Sequence, residues 1–285
     1  MERIAVMTDT NSGMTPEEAR QTGVALLAMP FTVDGRACFE YVDLSHEEFF
    51  RLQTQGAEIT SSQPAPADLL AMWDELLETH DNIIYIPMTS GLSGSYATAA
   101  GLAQDYDGKV LVVDNRRISV PLKQSVLEAV RLRDAGRSAR EIAQRLTETA
   151  LDSRIYITVE DLSYLKKSGR ITPTVAAVGT VLNIKPVMKI LDGKLDMHRK
   201  VRGMKQARQA MLDAVRADLE GEFAGKKVII AAAYSGDRQE GEAWAETVRQ
   251  EFPGLPFMSD PLPLSIGCHV GAGALGAAIF TNETI

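Results

Sequence analysis

The chain has 285 residues, 45% of them apolar, and carries 30 Lys and Arg against 38 Asp and Glu for a formal net charge of -8. That length suggests two domains with ordinary packed cores, and the acidic balance argues against phosphate-backbone binding, so nucleic acid is not expected as a partner. Cys38 and Cys268 lack a C-x-x-C neighbour and the four histidines are scattered, which leaves no zinc site, no disulfide framework and no expected metal.

Met1 to Val6 enters a strand almost at once, with neither a basic n-region nor a long apolar h-region, so no secretory signal is read and a cytoplasmic location is expected. The first strand, 3 to 8, ends in Asp9-Thr10-Asn11-Ser12-Gly13 and is followed by a helix start at Thr15-Pro16-Glu17-Glu18. Residues 24 to 33 form a second apolar run, and Asp34-Gly35 predicts a small hairpin that stands off the sheet within an insert of about 30 to 60. Ser45 with Glu48 three residues later is a capping box that starts a short helix. Ser61-Ser62-Gln63-Pro64-Ala65-Pro66 is extended, because residues before proline avoid the helical region, and a helix follows to about 79.

A strand at 83 to 87 then runs into Thr89-Ser90-Gly91-Leu92-Ser93-Gly94-Ser95 and a helix expected at 92 to 104. This turn concentrates four hydroxyls, two glycines and the unpartnered first amides of a helix, the equipment of an oxyanion site. A strand at 110 to 114 and helices at 119 to 134 and 138 to 150 complete an alternation that predicts a parallel α/β sheet, with ligands beyond the carboxyl ends of its strands. The second half reads as strand 155 to 159, a short helix ending at Lys166-Lys167, a hairpin around Asp192-Gly193, a long helix 201 to 219, a strand 228 to 233, a helix 238 to 251 and a strand near 255 to 259. Its glycine- and alanine-rich stretch, 270 to 280, is far too short to span a bilayer, so no stable membrane insertion is expected. The expected division is a parallel-sheet α/β domain at 1–158 and an α/β domain with a mixed or antiparallel sheet at 159–285.

Candidate functional residues lie in the loops. Arg170 follows Gly169 and can aim a guanidinium into a cleft, where arginine suits carboxylates and phosphates. His269 sits among Gly267, Gly271 and Gly273. Asp9 reads as a hydrogen-bond anchor for loop amides, and Asp114 is open to the same use. Ser93 as a hydrolase nucleophile needs a base, and only His269 is available; Gly91-Leu92-Ser93-Gly94 is not a G-x-S-x-G elbow. Neither GxGxxG nor a Walker loop occurs, so no nucleotide cofactor is expected. The turn reads as binding more than as nucleophilic catalysis, and a Ser93-dependent hydrolase or acyltransferase and a module for a small phosphorylated ligand both remain open at this point.

Taken together, Thr89 to Tyr96, Ser61 to Pro64, Leu162 to Ile171, Leu182-Asn183-Ile184-Lys185-Pro186 and His269 to Gly276 resemble the DegV family of bacterial fatty-acid-binding proteins, over essentially the whole chain. The resemblance implies a two-domain α/β protein that buries a long-chain fatty acid between its domains. It further implies no catalysis by the chain alone and a separate ATP-dependent fatty acid kinase that phosphorylates the bound carboxyl. Carried over by position, Ser61 and Ser93 hold the carboxylate with Arg170 and His269 near the head group, Arg170 and His269 being the candidates for any catalytic part. The ligand-binding set then comprises Ser61, Ser62, Ser93, Gly94, Ser95, Arg170 and His269, with no cofactor. Departures from the family pattern are Ser61 for threonine, Val270-Gly271-Ala272-Gly273 for Thr-Gly-Pro-Gly, Asp9-Thr10-Asn11-Ser12 for Asp-Ser-Thr/Ser, and Val120-Pro121-Leu122 for a small-residue segment.

Overall fold

The computed structural model of the chain describes residues 2–177, 183–191 and 194–282. In chain order its strands are β1 (Ile4–Asp9), β2 (Val24–Leu27), β3 (Pro30–Val33), β4 (Arg36–Phe39), β5 (Ile59–Ser61), β6 (Asn82–Ile86), β7 (Val110–Val112), β8 (Ser153–Thr158), β9 (Ile184–Leu191), β10 (Lys194–Arg202), β11 (Val228–Tyr234), β12 (Phe257–Pro261) and β13 (Leu275–Thr281). They form a parallel sheet in the order β2-β1-β6-β7, a mixed six-stranded sheet β10-β9-β8-β13-β11-β12, and a small antiparallel sheet β4-β3-β5. The architecture is α/β, a parallel sheet joined to a mixed one.

The first sheet is apolar on both faces because both are covered. Ile4, Val6, Ile84 and Ile86 pack against Leu122, Val126 and Ile142 of the helices Ser119–Asp134 and Ala139–Glu148. The alternate residues Ala5, Met7, Ile83 and Tyr85 pack against Leu69, Trp73 and Ala99. This is the two-sided burial that parallel sheets require. The six-stranded sheet is treated unequally. One face, with Ile230, Ala232 and Ile279, meets Met211, Val215, Trp244 and Val248 of the helices Gly203–Glu220 and Arg238–Glu251. The other face turns toward the first sheet.

Two sequence expectations shift. The apolar run 24 to 33 is two strands in two sheets, because Pro30 has no N–H to continue a ladder and opens the new strand β3 instead. The helix after β6 begins at Ser95 rather than near Leu92, since the amides of Leu92 and Ser93 bond back to the Thr89 carbonyl in a turn. β8, read from the sequence as the first strand of the second half, pairs with β13 and β9, so the second sheet starts at Ser153. The turn Asp192-Gly193 and Leu182 lie outside the described residues.

The small sheet and the helix His46–Thr54 grip the short helix Leu264–Val270 that carries His269. The buried Glu40 carboxylate accepts the Leu264 amide at 2.6 Å and so caps this helix, and Gln53 Nε2 donates to the Gly267 carbonyl at 3.0 Å. Gly267 is needed by contact: a Cβ there would lie 2.8 Å from Phe50 and 3.1 Å from Phe49.

Candidate functional site

A cavity of ≈ 260 Å³ lies where the loops beyond β1, β6 and β7 face the uncovered side of the six-stranded sheet. The sheet makes room through side-chain size. Ala231 pairs across strands with Ala278, and Ala233 with Gly276, so two adjacent cross-strand pairs on one face carry at most a methyl group. Ile155, Ile157, Ile190, Leu165 and Val270 complete an apolar wall, and Met29, Met88 and Val120 approach from the other side. Of Leu26, Met29, Phe31, Ile184 and Met188, apolar residues of β2, β3, β9 and the β2–β3 link, Met29 alone lines this space.

Polar groups gather at one end. Ser61 closes β5 and its Oγ lies 2.7 Å from His269 Nε2. Burial first, then the neighbouring Arg170 charge, pulls the His269 imidazole down to about 4, so it is neutral at pH 7. Its Nδ1 is buried without a hydrogen-bond partner. A buried N–H left without an acceptor is the costlier orphan, which assigns the proton to Nε2 and makes His269 the donor to Ser61 Oγ. The Ser61 hydroxyl proton is then free to turn toward a ligand. Ser93 Oγ accepts from the Ser95 amide at 3.1 Å and lies 2.8 Å from Ser95 Oγ.

The seven expected ligand residues divide by position. Ser61, Ser62, Ser93, Gly94, Arg170 and His269 line the cavity, whereas Ser95 is buried behind Ser93 and acts through it. At Gly94 a Cβ would lie 2.5 Å from the end of the exposed Gln63 side chain, which accepts from Thr98 Oγ1 at 3.2 Å and would have to move aside. The Gly94 φ of -73 is ordinary. Arg170 is exposed, donates to the Ser168 carbonyl, and stands where the cavity meets an outer groove lined by Ser90, Gly91, Ser93 and Thr172. Ser93 is bonded to Ser95 and not to His269, so the base that a Ser93 nucleophile needs is engaged with Ser61 instead.

Asp9 is fully buried and pushed up to about 6 by desolvation; it accepts from the Asn11 amide, Asn11 Nδ2 and the Met88 amide, tying the β1 loop to the β6 loop. Asp114 accepts from the Ser90 and Arg116 amides and pairs with Arg116 at 3.1 Å. Both carboxylates hold loops. Among the described residues no group of three or more His, Cys, Asp or Glu could hold a metal ion, and no helix is long and apolar enough to cross a membrane. The small-residue pairs on β11 and β13 and the cap from Glu40 were not anticipated. The alanine run 231–233 was the available signal for the first, and none marked Glu40.

Residues 3–282 match the family model described as "Uncharacterised protein, DegV family". A DegV domain-containing protein of Caldanaerobacter subterraneus subsp. tengcongensis is 30% identical over 99% of this chain and 100% of its own, and one of Deinococcus radiodurans is 31% identical over 97% and 98%. A Thermus thermophilus DegV family protein, whose structure is described as fatty acid binding, superposes with a TM-score of 0.88 at 30% identity, covering 98% of this chain and 100% of that one. The Bacillus subtilis DegV structure shares the fold, with a TM-score of 0.87 at 24% identity over 99% and 100%.

Proposed function

The chain belongs to the DegV family, and from that premise we propose that it binds a long-chain fatty acid in the cavity between two domains, the first built on the parallel sheet and the second on the six-stranded sheet. The observation that carries this reading is one continuous cavity with a donor-rich end at Ser61, Ser93 and His269 and an apolar interior at Ala231, Ala233, Gly276 and Ala278. In this reading the acyl chain lies along the small-residue wall and the carboxylate accepts hydrogen bonds from the Ser61 and Ser93 hydroxyls. Burying methylenes at about 0.8 kcal/mol each makes the tail the main source of affinity, and hydrogen bonds worth about 1 kcal/mol net mainly set orientation.

Neutral donors hold the carboxylate without neutralising it, which keeps its oxygen nucleophilic. A separate ATP-dependent kinase then supplies the phosphoryl group: a carboxylate oxygen attacks the terminal phosphorus, the bond to the nucleotide breaks, and an acyl phosphate forms. Arg170 stands at the outer groove where the transferred charge arrives. As a base for a Ser93 nucleophile His269 is poor, with its basicity pulled to about 4 and no partner on Nδ1.

Mass spectrometry of lipid extracted from the purified protein, with titration of added fatty acids, tests the reading. We expect co-purified or stoichiometrically bound long-chain fatty acid; no extractable lipid together with no binding on addition would refute it. The double variant Ser61→Ala with Ser93→Ala is expected to lose acyl-phosphate formation more than lipid retention, and unchanged phosphorylation would remove the head-group assignment.

A further inference from the structure

The cavity is not uniformly apolar beyond its head-group end. Asn11, Ser119 and Ser265 also line it. Ser265 lies four residues before His269 on the helix Leu264–Val270, which at 1.5 Å per residue sets it about 6 Å along the wall from the head-group histidine. The turn Thr10–Ser12 packs against the starts of both the helix Leu264–Val270 and the helix Ser119–Asp134, bringing the three polar residues to the same wall.

Their hydrogen bonding is unequal. Ser265 Oγ donates to Asn11 Oδ1 at 2.7 Å, and Asn11 Nδ2 donates to Asp9 at 2.9 Å, so these two are anchored while Ser265 Oγ keeps free lone pairs. Ser119 is 6% exposed and its Oγ has no hydrogen-bond partner. It opens a helix of 16 residues that no side chain caps, and it does so at φ 55, a left-handed conformation uncommon for serine. Its hydroxyl is buried and no hydrogen bond holds its present rotamer, so adopting another sacrifices none. A plain methylene chain passing this point leaves the hydroxyl unmatched. An alcohol on the chain can accept from Ser119 and donate to Ser265.

We propose that Ser119, with Ser265 and Asn11, is a specificity-determining polar station inside the acyl cavity that selects fatty acids bearing a hydroxyl on the carboxyl-proximal part of the chain. This rests on the fatty-acid reading above and names a substrate class within it. A site built to bond a hydroxyl discriminates strongly against the analogue lacking it.

The experiment is a competition assay with a fluorescent fatty acid, comparing octadecanoic acid with a positional series of monohydroxyoctadecanoic acids. The proteins are the wild type, Ser119→Ala and Ser119→Gly; the glycine variant removes the hydroxyl and relieves the positive φ, which guards against misfolding. In the wild type, isomers hydroxylated toward the carboxyl end are expected to bind about tenfold more tightly than octadecanoic acid, and tail-hydroxylated isomers more weakly. In both variants that preference is expected to vanish while octadecanoic acid binding persists. Octadecanoic acid bound by the wild type with every hydroxylated isomer weaker, or a positional preference that survives in both variants, overturns the proposal and leaves the carrier reading standing. Absence of any binding, octadecanoic acid included, sinks both together.

Discussion

Ala233→Leu separates a ligand cavity from an ordinary packing defect. Ala233 lines the lumen opposite Gly276 and is only partly buried, so beyond its contacts with the neighbouring apolar residues part of its side chain borders the cavity. Leucine adds three carbons there. If they fill part of the ≈ 260 Å³ cavity, the ligand-free protein gains up to about 2.4 kcal/mol, from roughly 0.8 kcal/mol per buried carbon. A long acyl chain must then give up contacts of the same size, and about 2.4 kcal/mol corresponds to roughly fiftyfold weaker binding. Stability and affinity therefore move in opposite directions. Differential scanning calorimetry of delipidated protein and isothermal titration with octadecanoic acid read the two quantities; a chain short enough to stop before Ala233 should bind as it does to the wild type. The reasoning is refuted if Ala233→Leu raises the melting temperature and leaves octadecanoic acid affinity unchanged, because the filled space would then not be the acyl site.

Ser61→Ala leaves the buried His269 Nε2–H without its acceptor, an expected loss of about 1–3 kcal/mol in stability by denaturant titration, whereas Ser61→Thr keeps the hydroxyl and should lose little. The pH dependence has two opposing limbs. Burial raises Glu40 to about 7 and Asp9 to about 6, so the folded chain holds protons that the unfolded chain has lost, and these groups withdraw stability as pH rises from about 4.5 to 7. His269, lowered to about 4, does the reverse and withdraws stability as pH falls from about 6.5 to 4. Relative to wild type, Glu40→Gln should gain melting temperature progressively up to about pH 7, and His269→Gln should gain it on acidification; parallel curves for wild type and either variant would contradict the assignment. Gly267→Ala drives a methyl into Phe49 and Phe50, which are already packed edge to face at 5.0 Å, and is expected to cost about 1–3 kcal/mol together with loose seating of His269 and weaker fatty acid binding.

The first sheet was readable because its physics is local. Ile4 to Thr8 and Ile83 to Ile86 are continuous apolar strands, each followed by a polar loop and a helix, and a strand buried on both faces must look that way. Asp9 could be assigned to loop anchoring because an aspartate reaching the amide two residues on is a short-range habit. The partner of His269 could not be read in this way: Ser61 is 208 residues distant, and their contact depends on the small sheet docking against the helix Leu264–Val270. The cavity wall was hidden for a different reason. Ala231 and Ala278 look like unremarkable strand residues until the β11–β13 register sets them opposite each other, beside Ala233 and Gly276. A slip of one residue would turn Ala232 and Ala277 to that face and give the cavity side to the other sheet surface. Glu40 sits at the end of a hairpin strand where a charged residue is normally solvated, and its burial rests on partners from distant parts of the chain, the Leu264 and Ser265 amides and the Thr10 hydroxyl.

If the proposed function holds, the electrostatics of the cavity decide which way round an acyl chain would lie in it. A carboxylate moved into an apolar interior loses solvation worth several kcal/mol unless it is paired or fully hydrogen-bonded. The wall at Ala231, Ala278 and Val120 offers neither, and Ser119 supplies one neutral hydroxyl. The opposite end offers Ser61 primed by His269, Ser93 braced by Ser95, and the Arg170 cation at the solvent boundary. Head-first entry is therefore opposed by desolvation and tail-first entry is favoured by methylene burial, so both forces leave the carboxylate at the mouth. His269 being neutral sets how that end would hold the charge. A charged imidazolium beside Ser61 would hold the carboxylate as a buried ion pair and lower its reactivity toward a phosphoryl donor, while the low basicity imposed by burial and Arg170 keeps the negative charge on the ligand oxygen. In the proposed function, the same burial that makes His269 a poor base would suit the site to presenting a carboxylate to a second protein.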